Sequence, residues 1–157
     1  MSDRFYYNAP CGFLNIEEDD DGMLCSCRWA DSPDGRPLGG IVKDRLDSYF
    51  TTGILPNDIP LKDTGTDFQK KVWRVLQSVE DGSTVSYSQL ANMCGFPRAI
   101  RAVANALHSN PIHVLIPCHR VIGANGKLTG YAGGLDRKAF LLDLEGGVIN
   151  LPPQNRS

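Results

Sequence analysis

The stretch SYSQLANMCGFPRAIRAVANALH, residues 86–108, decides how the second half of the chain folds. Ser86-Tyr87-Ser88-Gln89 is a capping-box pattern, in which a serine and a glutamine three residues on satisfy free backbone amides reciprocally, so a helix opens there. Gly95 is placed to close it, and Pro97 reads as the first residue of a second helix running to about His108, where Ser109-Asn110-Pro111 stops it. A short helix, a glycine turn and a longer helix make the outline of a helix-turn-helix. Along the longer helix, Ile100, Val103, Ala104 and Leu107 share one face and are expected to pack inward, while Arg98, Arg101, Ala102 and Asn105 share the opposite one. The plainer reading of that second face is a solvated surface. Ala99, Ala102 and Ala106 leave little bulk, however, and would let the helix backbone lie close against another surface.

Similar patterning extends outward. Thr66-Asp67-Phe68-Gln69 repeats the capping pattern, and Phe68, Val72, Val75, Leu76 and Val79 continue it as one apolar stripe. A further helix is predicted over residues 135–145, with Leu135, Ala139, Leu141 and Leu142 buried and Gly146-Gly147 ending it. Its last residue, Glu145, is an acid where the helix dipole disfavours one, which invites a partner, although an exposed carboxylate is the commoner fate. Before residue 64 the texture differs. Residues 12–16 and 23–29 read as two strands joined by an acidic turn of five consecutive acids at 17–21. Ile41, Val42, Leu46, Tyr49 and Phe50 then follow helical spacing, and residues 51–62, with Gly53, Pro56 and Pro60, read as a linker. The expected organisation is an α/β plus α chain: an N-terminal α/β module with linker at 1–63, a helical domain at 64–150 and a tail at 151–157.

At 157 residues and 41% hydrophobic, the chain can build a core. No stretch is apolar for the length of a bilayer, and residues 1–8 lack a basic region followed by an apolar one, so a soluble cytoplasmic protein is expected. The net charge of -2 hides an asymmetry: residues 1–63 carry 6 Lys/Arg against 12 Asp/Glu, whereas residues 64–150 carry 9 against 6. A polyanion would meet the second half. The five cysteines, Cys11, Cys25, Cys27, Cys94 and Cys118, contain no CxxC pair and fit neither a disulfide framework nor a zinc ribbon. The thiols of Cys25 and Cys27 are expected on opposite faces of their strand, so a metal shared between them and a distant histidine is not expected.

Between two apolar stretches lies IPCHRV, residues 116–121. A thiol attacks as thiolate, and with a pKa of roughly 8.5 it needs a base or a positive environment. His119 and Arg120 are adjacent, but neighbours in a chain diverge, so His119 is expected to serve Cys118 through a water and to need orienting by a second group, such as a carboxylate from elsewhere. On these residues alone Cys118 is a candidate nucleophile or one more buried thiol.

The wider context carries more. Residues 110–122 with Pro117-Cys118-His119-Arg120-Val121, then Gly126, then Thr129-Gly130-Tyr131-Ala132-Gly133-Gly134, together with 65–69, Val72-Trp73, Ser86-Tyr87, Arg101-Ala102-Val103, Leu141-Leu142 and Glu145-Gly146, resemble the O6-alkylguanine-DNA alkyltransferases. The likeness covers most of residues 64–147 and is loose before them. It implies a ribonuclease-H-like N-terminal module, a helix-turn-helix domain, and DNA repair by one irreversible transfer of an alkyl group from O6-alkylguanine, with O4-alkylthymine left open, to the protein itself. Carried residue by residue, it implies that Cys118 is the acceptor, His119 relays its proton through a water, Glu145 holds that histidine and Asn110 braces the turn. By the same resemblance Tyr87 would help rotate the nucleotide and could donate a proton to the leaving guanine, and Arg101 would fill the vacated place in the base stack. The same likeness implies a minor-groove surface of Ser86, Tyr87, Arg98, Ala99, Arg101, Ala102 and Asn105, and a base pocket of Cys118, Val121, Tyr131 and Ala132. It implies no cofactor, a monomer on double-stranded DNA, and no zinc, since all three histidines lie at 108 or later. Some relatives have serine at Ala132, and those that bind alkylated DNA without repairing it lack the cysteine. A non-enzymatic DNA-binding module and a thiol hydrolase or redox protein are the rival readings.

Overall fold

The computed structural model describes residues 3–126 and 128–146; Gly147, the expected boundary at 150 and the tail at 151–157 lie outside them. The chain runs β1 (Asp3–Ala9), β2 (Gly12–Glu18), β3 (Leu24–Ala30), β4 (Arg36–Pro37) and α1 (Gly40–Thr52), then α2 (Asp67–Gln77), β5 (Val85–Ser86), α3 (Tyr87–Met93), α4 (Ile100–His108), a 3-10 turn at Cys118–Arg120, β6 (Val121–Ile122) and α5 (Leu135–Leu144). An α/β half is thus followed by a mainly helical half. The first four strands form one sheet in the order β3-β2-β1-β4, antiparallel except for β4 beside β1, and β5 pairs with β6 in parallel.

Alternation explains the sheet: Tyr7 and Ala9 of β1 and Leu14 and Ile16 of β2 are buried, and the residues between them are at least partly exposed. The predicted hairpin is β2 and β3, and its acidic tip is ordered by Asp19, whose carboxylate accepts from the amides of Asp21 and Met23. β1 forms where no strand is predicted. Residues two apart on a regular strand share a face, so alternation alone does not separate Cys25 from Cys27, contrary to the expectation above. A bulge does so: Glu17 pairs with Ser26 and Glu18 with Leu24, which leaves Cys25 as the extra residue. Cys27 is buried, and the half-buried Cys25 thiol donates to the Glu17 carbonyl.

Both predicted capping boxes form, at Thr66 and Gln69 before α2 and at Ser86 and Gln89 before α3. α4 starts at Ile100, later than expected from Pro97, because residues 96–99 make a turn closed by the Ala99 amide on the Phe96 carbonyl. Arg98 therefore precedes the helix. Ala106, expected among the small exposed residues, is buried against α2, and its carbonyl accepts the Trp73 indole N–H at 2.9 Å. Three stripe residues at helix starts overhang the core and are exposed: Ile41 at 61%, Ile100 at 42% and Leu135 at 41%.

The two halves share one core. β3 is bonded at its edge to later chain: the Leu24 amide donates to the Pro60 carbonyl, the Cys27 amide to Pro111, and the His113 amide to Cys27. At the other end, α1 closes on Gly53, at φ 76°, whose amide donates to the Tyr49 carbonyl at 2.7 Å. A Cβ at Gly53 would lie 2.3 Å from the Leu144 carbonyl oxygen, so only glycine lets the ends of α1 and α5 meet. Gly53→Ala is expected to destabilise the protein by about 2 kcal/mol or more, from the left-handed backbone and the collision together; urea unfolding would measure it, and a change under about 0.5 kcal/mol would contradict this packing.

Candidate active site

The candidate site is built on the turn from Asn110 to Arg120. Asn110 is buried and uses both ends of its amide: its oxygen accepts from the Ile112 amide at 2.9 Å, and its nitrogen donates to the Ile116 carbonyl at 3.0 Å and to Cys118 Sγ at 3.3 Å. Inside this brace Val114 adopts φ 72°, a strained conformation for a β-branched residue that persists only where the surroundings over-determine it. Cys118 begins the 3-10 turn and is buried. Burial pushes its thiol above the ordinary value of 9.0, against the smaller opposing pull of the Asn110 hydrogen bond and the Lys138 charge. The resting thiol is therefore protonated at neutral pH and needs a base.

The candidate base expected from the sequence, His119, is adjacent in the chain and turns to Glu145, as the divergence of neighbours allows. His119 is buried, and its Nε2 lies 2.7 Å from Glu145 Oε2. The Glu145 side chain is only 1% exposed, so the terminal acid of the last helix is not the exposed carboxylate of the plainer reading. Burial alone would raise its pKa, yet hydrogen bonds from His119, Arg120 and Tyr49 hold it down to about 2. With Glu145 ionised, His119 carries its proton on Nε2 and presents the Nδ1 lone pair. Nδ1 has no partner among the described residues, and a buried nitrogen of that kind suits a bound water. Burial lowers the His119 pKa below 6.5 more than Glu145 raises it, so the imidazole rests neutral.

The remaining groups hold this pair. Arg120 Nε donates to Glu145 Oε1 at 2.8 Å, and its terminal nitrogens donate to the Val79 carbonyl at 2.7 Å and to Asp81 at 2.6 Å. Tyr49 of α1 donates to Glu145 Oε2 at 2.6 Å. Lys138 is fully buried and donates to the carbonyls of Val121 at 2.6 Å and Thr129 at 2.8 Å; burial lowers its pKa to about 8, opposed by the Cys118 side chain.

Cys118 opens onto a cavity of about 130 Å³ lined also by Tyr87, Ala104, Leu107, Gly130, Tyr131 and Ala132. The Tyr87 hydroxyl lies 3.0 Å from that of Thr129, and the Trp29 indole donates to the Tyr131 hydroxyl at 3.0 Å. Gly133 lies flat against Trp29, where a Cβ would come within 2.4 Å of the ring. Arg137 stacks over Trp29 at 5.2 Å and bonds to the carbonyls of Cys11, Gly133 and Ala30, tying the loop to the N-terminal sheet. A larger hollow of about 290 Å³ between the linker, α2 and residues 111–116 is lined by neither cysteine nor histidine.

The structure brings together Asn110, Cys118, His119 and Glu145, and gathers Tyr87, Tyr131 and Ala132 around the mouth. Val121, expected in the pocket, is fully buried outside the cavity lining, and its carbonyl accepts from Lys138. Arg101, Ala102 and Asn105 are exposed on α4, with Arg98 exposed and Ala99 half-buried just before it, and Ser86 caps α3. Arg101 precedes the cavity residue Ala104 by three positions, so it lies about one turn earlier on α4 and only about 60° round from it, nearer than the opposite faces expected above. Sequence reading missed Tyr49, Lys138 and Trp29 as parts of the site. Lys138 carried a signal, since it lies three residues from both Leu135 and Leu141, at a stripe position where a charge is unusual.

Comparison with known proteins agrees with this arrangement. The family profile described as 6-O-methylguanine DNA methyltransferase, DNA binding domain, matches residues 67–147. A methylated-DNA--protein-cysteine methyltransferase of Mycolicibacterium paratuberculosis is 50% identical over 117 residues, covering 74% of this chain and 69% of the relative. One from Methanosarcina acetivorans is 52% identical over 102 residues, 65% of each chain. The crystal structure of Mycobacterium tuberculosis O6-methylguanine methyltransferase superposes with a TM-score of 0.82 at 38% identity over 93% of both chains. That of Mycobacterium tuberculosis OGT in complex with DNA gives 0.81 at 39%, covering 91% of this chain and 92% of the other. A profile match over more than half of the chain, together with a relative 50% identical over 69% of its own length, shows that the chain belongs to the methylated-DNA–protein-cysteine methyltransferase family.

Proposed function

We propose that this protein repairs duplex DNA by moving the alkyl group of O6-alkylguanine to its own Cys118. The observation that carries the proposal is a protonated, braced thiol lining a cavity, next in sequence to a neutral histidine whose buried Nδ1 has no partner among the described residues and whose Nε2 is held by a buried carboxylate. In the reaction a bond forms between Cys118 Sγ and the alkyl carbon, and the bond from that carbon to O6 breaks. The thiol proton passes through a water to His119 Nδ1, and Glu145 offsets the charge of the imidazolium. Guanine leaves with the electron pair of the broken bond and takes a proton from Tyr87. The thioether is not cleaved again, so each molecule acts once. No cofactor enters, because the lesion is the alkyl donor.

A lesion inside a duplex reaches the thiol only if its nucleotide is rotated out, at a cost of a few kcal/mol that damaged pairing lessens. α3 and α4 act as a helix-turn-helix that approaches the minor groove, where small residues allow close contact without reading sequence. The DNA bound by the Mycobacterium tuberculosis relative supports DNA as the partner here. Arg101, one turn from the cavity mouth, takes the vacated place in the stack. The N-terminal sheet with α1 is a reduced ribonuclease-H-like module, supported by its three antiparallel strands and the parallel β4.

Three outcomes are expected. Incubation with duplex containing O6-methylguanine should add one methyl group to the peptide bearing Cys118, in a burst of about one equivalent with no turnover afterwards; tight binding without that mass gain would instead favour a recognition module. Arg101→Ala should slow repair of duplex about tenfold or more while leaving reaction with free O6-benzylguanine nearly unchanged, and equal loss on both substrates would remove the stacking role. The rate with free O6-benzylguanine should be level between the His119 and Cys118 pKa values, since a neutral imidazole and a protonated thiol coexist there. It should fall only as pH drops below 6.5, where the base becomes protonated. A rate climbing steadily through neutral pH would show that free thiolate reacts without the relay.

A further inference from the structure

We propose that Tyr49, on α1 of the N-terminal half, is a positioning residue of the transfer reaction: its hydroxyl, hydrogen-bonded to Glu145 Oε2, fixes the carboxylate oxygen that orients His119. The inference rests on the relay described above.

Glu145 Oε2 receives two hydrogen bonds, from His119 Nε2 at 2.7 Å and from Tyr49 at 2.6 Å, while Oε1 receives Arg120 Nε at 2.8 Å. Tyr49 is fully buried, and its ring alone would serve packing, as that of the neighbouring Phe50 does at 5.0 Å between centroids. The hydroxyl is thus the feature that packing does not require, and it meets the reactive carboxylate from an element 96 residues away. The approach is enforced. Gly53 ends α1 in the left-handed region with its amide on the Tyr49 carbonyl, against the Leu144 carbonyl one residue before Glu145.

A carboxylate held only by His119 and Arg120 could turn both oxygens toward the guanidinium, the bidentate geometry such pairs favour. The Tyr49 bond opposes that rotation and keeps Oε2 on the imidazole. It also draws electron density from Oε2, so that the carboxylate holds His119 without overly favouring the imidazolium, which must lose its proton for the relay to start. Among the described residues, the charged and titratable groups facing His119 and Glu145 are Tyr49 from α1, Arg120 from the turn, Asp81 through Arg120, Lys138 from α5, and the Tyr131 ring at 6.5 Å. In Tyr49→Phe only the first of these changes.

The test compares wild type, Tyr49→Phe and Phe50→Leu for reaction of Cys118 with free O6-benzylguanine across pH, and follows His119 by NMR titration of its ring protons. Phe50 packs edge-on against Tyr49 and carries no hydrogen-bonding group that could hold Glu145, so its variant reports a purely structural loss. In Tyr49→Phe the acid limb of the rate and the His119 titration should both move up by roughly one pH unit, the weight of one hydrogen bond to a charged group. The plateau should fall about three- to tenfold, and Phe50→Leu should leave the limb in place. A Tyr49→Phe profile and titration that superpose on wild type, or shift no more than in Phe50→Leu, would overturn the positioning role. If wild type never alkylates Cys118 while the NMR shift appears, the alkyltransferase reading fails and the positioning of His119 by Tyr49 stands.

Discussion

The buried carboxylate of Glu145 is the point on which the arrangement turns. A charge taken out of water is retained only when it is paired and its lone pairs are filled, and here His119, Arg120 and Tyr49 fill them. Those partners come from the active-site turn and from α1, and Arg120 extends the network through Asp81 and the Val79 carbonyl to the chain after α2. One carboxylate at the end of α5 thereby joins four separate pieces of chain. The same bonds set the proton positions. An ionised Glu145 places the imidazole proton on Nε2 and leaves Nδ1 as the acceptor, which is the form a protonated thiol requires.

A second set of contacts shapes the cavity. Lys138 spends its donors on the Val121 and Thr129 carbonyls, Thr129 meets Tyr87, and Trp29 meets Tyr131. Arg137 and Gly133 seat the loop against Trp29. The N-terminal sheet, which contributes no residue to the cavity lining, thus holds the loop that does. The acidic first half and the basic second half divide labour in the same way, one supporting the site and the other presenting Arg98, Arg101 and Asn105.

Much of this was legible in the chain. The two capping boxes announced α2 and α3, the strand pair and acidic turn announced β2 and β3, and the motif context singled out Asn110, Cys118, His119 and Glu145, of which the structure bonds Asn110 to Cys118 and His119 to Glu145. The errors have local causes. Periodicity places a helical face but not its ends, so Ile41, Ile100 and Leu135 overhang the core, and α4 begins three residues after Pro97 because a turn must first redirect the chain. The bulge at Cys25 is set by pairing across β2 and β3, which no feature of Cys25-Ser26-Cys27 alone reveals. Tyr49 was legible as an apolar stripe residue and illegible as a donor, since its partner lies 96 positions away.

By itself the sequence determined the main helices and the β2–β3 hairpin, because capping, alternation and periodicity are properties of neighbours, whereas β1 and the short strands arise from pairing with other segments of the chain. It also determined which cysteine is chemically marked, through the motif around it. Tertiary structure alone decided what that cysteine and its histidine experience. Burial holds the thiol protonated and the imidazole neutral, and a carboxylate enclosed by α1 and the 3-10 turn selects the tautomer. These are effects of desolvation and of charges meeting across distant parts of the chain, and they exist only once the chain has closed on itself.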